Sequence, residues 1–169
     1  REMAQAASRL RWGSEEWDLA SPFFDAPDRN DPTPTLWFDG KETIYYFTGI
    51  SMAGNYSRLA VAMRTSTDSG QTWSRARLVM PEHTREHQLS EPVFRLQGGA
   101  MAMGVDGERS LWVSADQGRT WSNPGGRLPG NHPGIAQLRD GRLLGFSRGG
   151  ETDGMMTQSV SKDGGRTYE

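Results

Sequence analysis

One eight-residue phrase occurs three times in this chain at even spacing, and no other feature constrains the fold as tightly. The copies read Ser66-Thr67-Asp68-Ser69-Gly70-Gln71-Thr72-Trp73, Ser114-Ala115-Asp116-Gln117-Gly118-Arg119-Thr120-Trp121 and Ser161-Lys162-Asp163-Gly164-Gly165-Arg166-Thr167-Tyr168. They share S-x-D-x-G-x-T-[WY] and begin 48 and 47 residues apart. A fixed period of that length belongs to chains built from stacked supersecondary units.

The chemistry of the phrase is that of a turn. Each copy follows a strand-like run: Arg58–Thr65, Arg109–Val113 and Met155–Val160. Gly70, Gly118 and Gly165 supply the positive φ of a tight connection. The Asp accepts hydrogen bonds from its own turn, with weaker help from the Ser and Thr hydroxyls. Trp73, Trp121 and Tyr168 carry enough apolar area to anchor each turn on a neighbouring sheet. A single active site has no use for one acid in three places 47 residues apart, so Asp68, Asp116 and Asp163 are read as structural.

Around each phrase the sequence lays out strands at regular intervals. The first unit runs Pro34–Phe38, turns at Asp39-Gly40, returns through Thr43–Ser51 and ends with Ala76–Met80 after its phrase. Asp-Gly between strand-like runs is a hairpin signal. The second runs Pro92–Leu96, Ala100–Val105 and Ser110–Val113, then a Pro/Gly-rich stretch near Asn123–Leu128. The third runs Pro133–Arg139, turns at Asp140-Gly141, and continues through Leu143–Ser147 and Met155–Val160. Each unit is a four-stranded meander of about 47 residues, the pattern of a β-propeller blade. The expected organisation is one all-β, partial propeller domain over 1–169. Residues 1–33 would be the end of a preceding blade and a linker, 34–80 and 91–128 two blades, and 132–169 a blade lacking its last strand. Residues 1–9 read as helical or frayed, and Trp12 and Trp17 mark a degenerate earlier repeat.

Composition narrows the function classes. There is no Cys in 169 residues, hence no disulfide framework and no thiolate chemistry. A net charge of −2 gives no electrostatic case for nucleic acid or a membrane surface. No apolar run approaches the ~20 residues of a spanning helix. No cofactor is expected. His83 and His87 have the spacing of a helical metal pair, but they sit beside Pro81 without an obvious third ligand, so no metal is assigned. The chain opens on Arg1 and stops one residue past the third phrase, which reads as part of a longer protein with further blades. Its compartment is left open.

The phrase resembles the Asp-box, the bacterial neuraminidase repeat of the sialidase superfamily, whose members fold as six-bladed propellers. The segment from His132-Pro133-Gly134 through Asp140-Gly141 to Ser147-Arg148, followed by the third phrase, is similar to the sialidase unit Glu-Ser-x-x-x-x-Leu-x-Asp-Gly-x-Leu-x-x-x-x-Arg. The resemblance implies a glycosidase acting on terminal glycan residues, sialic acid among them, with a secreted or periplasmic location plausible. Asp-box propellers also include polysaccharide lyases and non-catalytic binding proteins, so those alternatives stand.

Strand order selects the face that carries chemistry. The phrases and the first hairpin turns lie at one end of each blade. Residues entering the inner strands and those ending the second strands lie at the other. Candidates there are Asn30, Asp31, Ser90, Glu91, Asn131 and His132, with Asn55, Tyr56, Asp106, Glu108, Arg148, Glu151 and Asp153. Aligned on the Leu before each hairpin turn, Asp31, Ser90 and His132 are expected at roughly equivalent positions. Under the resemblance, Arg148 falls on one of three arginines that hold the substrate carboxylate, a task suited to the guanidinium fork. His132 stands where sialidases have the Glu that partners a tyrosine nucleophile. It could be a base or a sugar hydrogen-bond donor, and the departure favours another glycan. Glu91 and Asp31 are candidate acid/base carboxylates. Asn131, Tyr56 and Glu151 complete the expected substrate contacts.

Overall fold

The computed structural model describes residues 4–52, 58–81, 88–89 and 91–169. Thirteen strands and no helix occur among the described residues. The N-terminal strands β1 (Gln5–Ala7) and β2 (Ser21–Phe24) form a separate antiparallel pair. The helical or frayed expectation for residues 1–9 is therefore corrected at Gln5–Ala7, where pairing with β2 holds the backbone extended.

Three antiparallel meanders follow. In the first, β3 (Arg29–Asn30) and β4 (Thr35–Phe38) both pair with β5 (Ile44–Met52), which pairs with β6 (Leu59–Ser66), which pairs with β7 (Arg77–Met80). The inner strand is thus split in two. Pro32 and Pro34 lie in the gap and can donate nothing to a ladder. In the second, β8 (Phe94–Arg95) pairs with β9 (Met101–Val105), and β9 with β10 (Ser110–Ser114). Its expected outer strand near Asn123–Leu128 shrinks to one bridge, Val113 to Ser122. Pro124 lacks a donor, and the Asn123 side chain accepts the Gly125 N–H in place of a ladder partner. In the third, β11 (Asn131–Gln137), β12 (Leu143–Thr152) and β13 (Met155–Ser161) pair in order, and Val160 and Glu169 exchange backbone hydrogen bonds where an outer strand begins.

The registers repeat from sheet to sheet. Ile44 faces Ser66, Met101 faces Ser114, and Leu143 faces Ser161, so each phrase starts opposite the first residue of its second strand. The sheets stack through two cores. Tyr45, Phe47, Val61 and Met63 of the first pack on Met101, Met103 and Val105 of the second. Ala102 and Leu111 of the second, with Leu128 before the third, pack on Ile135 and Leu143. Period-2 alternation drives this: neighbours in a strand face opposite sides, so one sheet serves two interfaces. Tyr46, between Tyr45 and Phe47, instead meets Phe23 and Phe24 on the N-terminal side.

The three phrases form the same hydrogen-bonded turn. In the first, the Ser66 hydroxyl donates to Asp68 at 2.7 Å and accepts the Gly70 N–H at 2.8 Å. The Thr72 N–H and hydroxyl both donate to Asp68, at 2.9 and 2.6 Å. The other two copies repeat these bonds within 0.1 Å. The Thr72 bonds, then the Ser66 bond, hold the Asp68 carboxyl down at about 2. Thr120 and Thr167 depress Asp116 and Asp163 in the same way. Two successive left-handed residues close each turn: Ser69 and Gly70, Gln117 and Gly118, Gly164 and Gly165.

Each phrase also receives a donor from the element before its sheet. The Arg9 side chain donates to the Gly70 carbonyl, Arg77 to Gly118 at 2.9 Å and Arg119 at 3.1 Å, and the Gly126 N–H to Gly165 at 2.9 Å. The phrase therefore ties sheets together as well as closing its own hairpin. Trp121 packs edge-on against Phe47, at 5.9 Å between ring centres, but is only half-buried.

Candidate functional site

The ends of the sheets remote from the phrases bring three candidates together. Asp106 follows β9, His132 enters β11 of the next sheet, and Arg148 lies on β12 beside it. The Asp106 carboxylate accepts the backbone N–H of His132 and also contacts its ring Nδ1. Asp106 is 3% exposed, whereas the His132 side chain is 38% exposed. Burial raises the Asp106 carboxyl above its ordinary value, opposed first by the charge and hydrogen bonds of His132 and then by the charge of Arg148. Asn131 and Arg148 are register partners, and both are exposed.

The shared register shows which residues are equivalent. The first hairpins close through Asp39 to Thr43, Leu96 to Ala100 and Leu138 to Arg142. Six residues before each donor stand Thr33, Ser90 and His132; six residues after each acceptor stand Gly49, Asp106 and Arg148. Thr33 therefore replaces Asp31 as the equivalent of His132. Alignment on Leu36 misses this, because the hairpin donor that matches Leu96 and Leu138 is Asp39. Thr33 (φ 53°) and His132 (φ 50°) share the left-handed conformation, and each precedes a proline. The unusual φ of His132 thus belongs to the blade's inner-strand entry, while the Asp106 contact is particular to this interface. Ser90 lies outside the described residues.

Asp31 is held elsewhere. Its carboxyl accepts the Ala26 N–H at 2.9 Å, its carbonyl accepts the Gln5 side chain, and burial raises it, with a smaller push from Asp25. No described contact joins it to His132 or Arg148. Neighbouring Asn30 is 1% exposed.

Glu91 sits between the second and third sheets. Its Oε2 accepts the Ile135 N–H at 2.6 Å, three residues along β11 from His132, and its Oε1 is buried without a hydrogen bond. Burial pushes its carboxyl up to about 7 against the two backbone bonds it accepts, from Ile135 and Gly104. A carboxyl in that range holds its proton near neutrality and can give it up, as a general acid requires.

Arg148 differs from expectation in one respect. β12 does not end there but continues through Gly149 and Gly150 to Thr152, which pairs with Met155. Gly149 has open space on its Cβ side, whereas Gly150 lies against Pro129 and Gly130. The open space beside this pair is confined to Gly149. Gly130 is pressed on the same strand: a Cβ there would lie 2.4 Å from the Arg148 carbonyl oxygen and 2.2 Å from that of Gly149. Tyr56 and Asn55 lie outside the described residues, as does the His83–His87 pair. Glu151 is on β12 with its side chain outside the described set. Glu108 turns to the scaffold, accepting from Asn123 at 2.9 Å. Among the described residues no group of His, Asp and Glu is placed to hold a metal.

Sequence patterning had placed Asp106 only among the strand-end acids. Its partnership with His132 joins two sheets across 26 residues of sequence, and no local sequence signal marks it.

Residues 3–169 match the family described as BNR repeat-like domain. The chain belongs to that family. No curated protein sequence matches it significantly. Among solved structures, the intramolecular trans-sialidase of Ruminococcus gnavus, in complex with oseltamivir carboxylate, is similar with a TM-score of 0.70 at 13% identity, over 99% of this chain and 63% of that one. A leech intramolecular trans-sialidase, complexed with 2,7-anhydro-Neu5Ac, gives 0.74 at 12% over 99% and 46%. A protein of unknown function from Dyadobacter fermentans gives 0.69 at 16% over 91% and 54%. The chain spans roughly half to under two thirds of the length of these structures. At such identities the likeness establishes the fold: an all-β, sialidase-type propeller, present in part.

Proposed function

We propose that this BNR repeat-like chain contributes to a glycoside hydrolase acting on the terminal residue of a glycan that carries an acidic group. The observation that supports it is the meeting of Arg148, His132 and Asp106 at the ends of the sheets away from the Asp-boxes. The Arg148 guanidinium is exposed, borders His132 in the register, and offers a planar fork suited to a carboxylate. The ligands named for two structural neighbours are consistent with it, one being a carboxylate. His132 and Glu91 supply groups able to move a proton, one open to solvent and one held protonated by burial.

The test is the full-length protein against a panel of exo-glycosidase substrates with acidic and neutral terminal sugars. Arg148→Lys should leave the melting temperature unchanged and raise KM for acidic substrates at least tenfold, because an ammonium keeps the charge and loses the fork. Normal turnover of an acidic substrate by the Lys variant would overturn the anchor role. Binding without turnover across the panel would favour a carbohydrate-binding propeller instead.

A further inference from the structure

We infer that Asp106 is a positioning residue that fixes His132 as the proton-transferring group of this site, with Nδ1–H turned into the protein and Nε2 presented to the glycan. The inference rests on the glycosidase proposal for its substrate, but its geometry stands apart from it. A buried carboxylate takes both the backbone N–H and the ring Nδ1 of one residue across a blade interface. A carboxylate only accepts, so the ring nitrogen facing it must carry the hydrogen. The other nitrogen is then an acceptor, and the half-exposed ring gives it access to solvent. Neither equivalent position in the first sheet repeats the pair: Gly49 stands in the place of Asp106, and Thr33 in that of His132. Scaffold alone therefore does not call for it.

Among the described residues, Asp106 from the end of β9 contacts the ring on its Nδ1 side, the charge of Arg148 of β12 acts on the same Asp106 carboxylate, and Glu91 holds the Ile135 N–H three residues along β11. In hydrolysis the imidazolium gives its Nε2 proton to the departing oxygen as the C–O bond breaks. The neutral ring then takes a proton from the water that adds to the anomeric carbon. Asp106 stays ionised throughout. A sialidase places neither a histidine nor this couple at the position, so the inference concerns this chain's own departure.

Asp106→Asn tests it with little change of shape. The amide oxygen can still accept the His132 N–H, but its NH₂ now faces Nδ1 and forces the opposite tautomer. In the full-length protein, the ¹⁵N signals assigned to His132 should show the Nδ1–H tautomer in the wild type and Nε2–H in the variant. Carbethoxylation of His132 by diethyl pyrocarbonate, followed by mass spectrometry, should slow in the variant. On a turned-over substrate, kcat should fall by about 10²–10⁴ with KM little changed. An Nε2–H tautomer in the wild type, or equal carbethoxylation rates, would overturn the inference whether or not a substrate is found. If the couple behaves as stated while no glycan is cleaved, the glycosidase proposal fails and the couple survives.

Discussion

Glu91→Gln should make the protein more stable at neutral pH, and by an amount that the burial of Glu91 sets. The carboxyl sits at about 7 in the folded chain against an ordinary value of 4.5. Between these values the folded state keeps a proton that the unfolded state has released. Stability from this group is therefore fully present below about pH 4.5 and is lost as pH rises through 7. A gap of about 2.5 pKa units, at 1.36 kcal/mol per unit, amounts to about 3 kcal/mol. Glutamine is neutral at every pH, and its amide oxygen can still accept the Ile135 N–H. The variant should match the wild type near pH 4.5 and exceed it by up to about 3 kcal/mol above pH 7.5. Urea unfolding of both proteins at half-unit steps from pH 4.5 to 8 measures this. Asp31 and Asp106 also have raised carboxyls, but both proteins carry them, so they cancel in the difference. A stability difference that stays constant across the range would refute the reasoning, since it would mean Glu91 ionises alike in both states.

Three further outcomes test the scaffold beneath the site. Gly145 and Leu128 are coupled: a Cβ on Gly145 would lie 2.4 Å from Leu128 Cδ2, and Leu128 is 2% exposed. Gly145→Ala should cost about 1–3 kcal/mol by overpacking and Leu128→Ala about 2–5 by cavity formation, with the double variant less destabilised than the sum in denaturant titrations. Arg77→Met should cost about 1 kcal/mol, since its two carbonyl contacts to the second Asp-box are partly solvated, and should speed hydrogen exchange at that turn. Gly130→Ala should unfold the protein or displace Arg148, because the new methyl meets backbone oxygens rather than a side chain able to swing away; a normal melting curve with unchanged substrate KM would contradict this.

Much of the fold is legible in the sequence because its turns are written in local chemistry. Ser, Asp, Gly and Thr of each Asp-box bond mainly within their own eight residues, so their pattern survives without knowledge of the rest. The Asp39-Gly40 and Asp140-Gly141 hairpins are of the same kind. Elements set by distant partners are harder to see. Gln5–Ala7 becomes a strand only through β2, and Gly149-Gly150 falls where the β12–β13 register breaks, between Ser147 and Thr152. Leu36 is not the counterpart of Leu96 and Leu138, since Asp39 donates the matching hairpin bond, which is how Asp31 came to stand for Thr33.

The same distinction separates scaffold from site in a repeat protein. Positions that recur in every sheet with the same residue and the same bonds, such as Asp68, Asp116 and Asp163, solve a problem every blade has. Positions that recur in register but change in chemistry solve a problem only one place has. Gly49, Asp106 and Arg148 occupy one backbone slot and present nothing, a buried anion and an exposed cation. Backbone hydrogen bonding cannot account for that variety, because the backbone is doing the same thing each time. The side-chain surroundings can: a Cβ at Gly49 would lie 2.8 Å from Leu59 Cδ2, Asp106 is buried against His132, and Arg148 is exposed. Under the proposed function, Arg148 is therefore the member of this slot placed to meet a ligand. Exchanging Asp106 and Arg148 should leave the Asp-boxes intact while abolishing recognition of an acidic glycan. Retained binding of such a glycan by the exchanged protein would show that the slot is only another part of the scaffold.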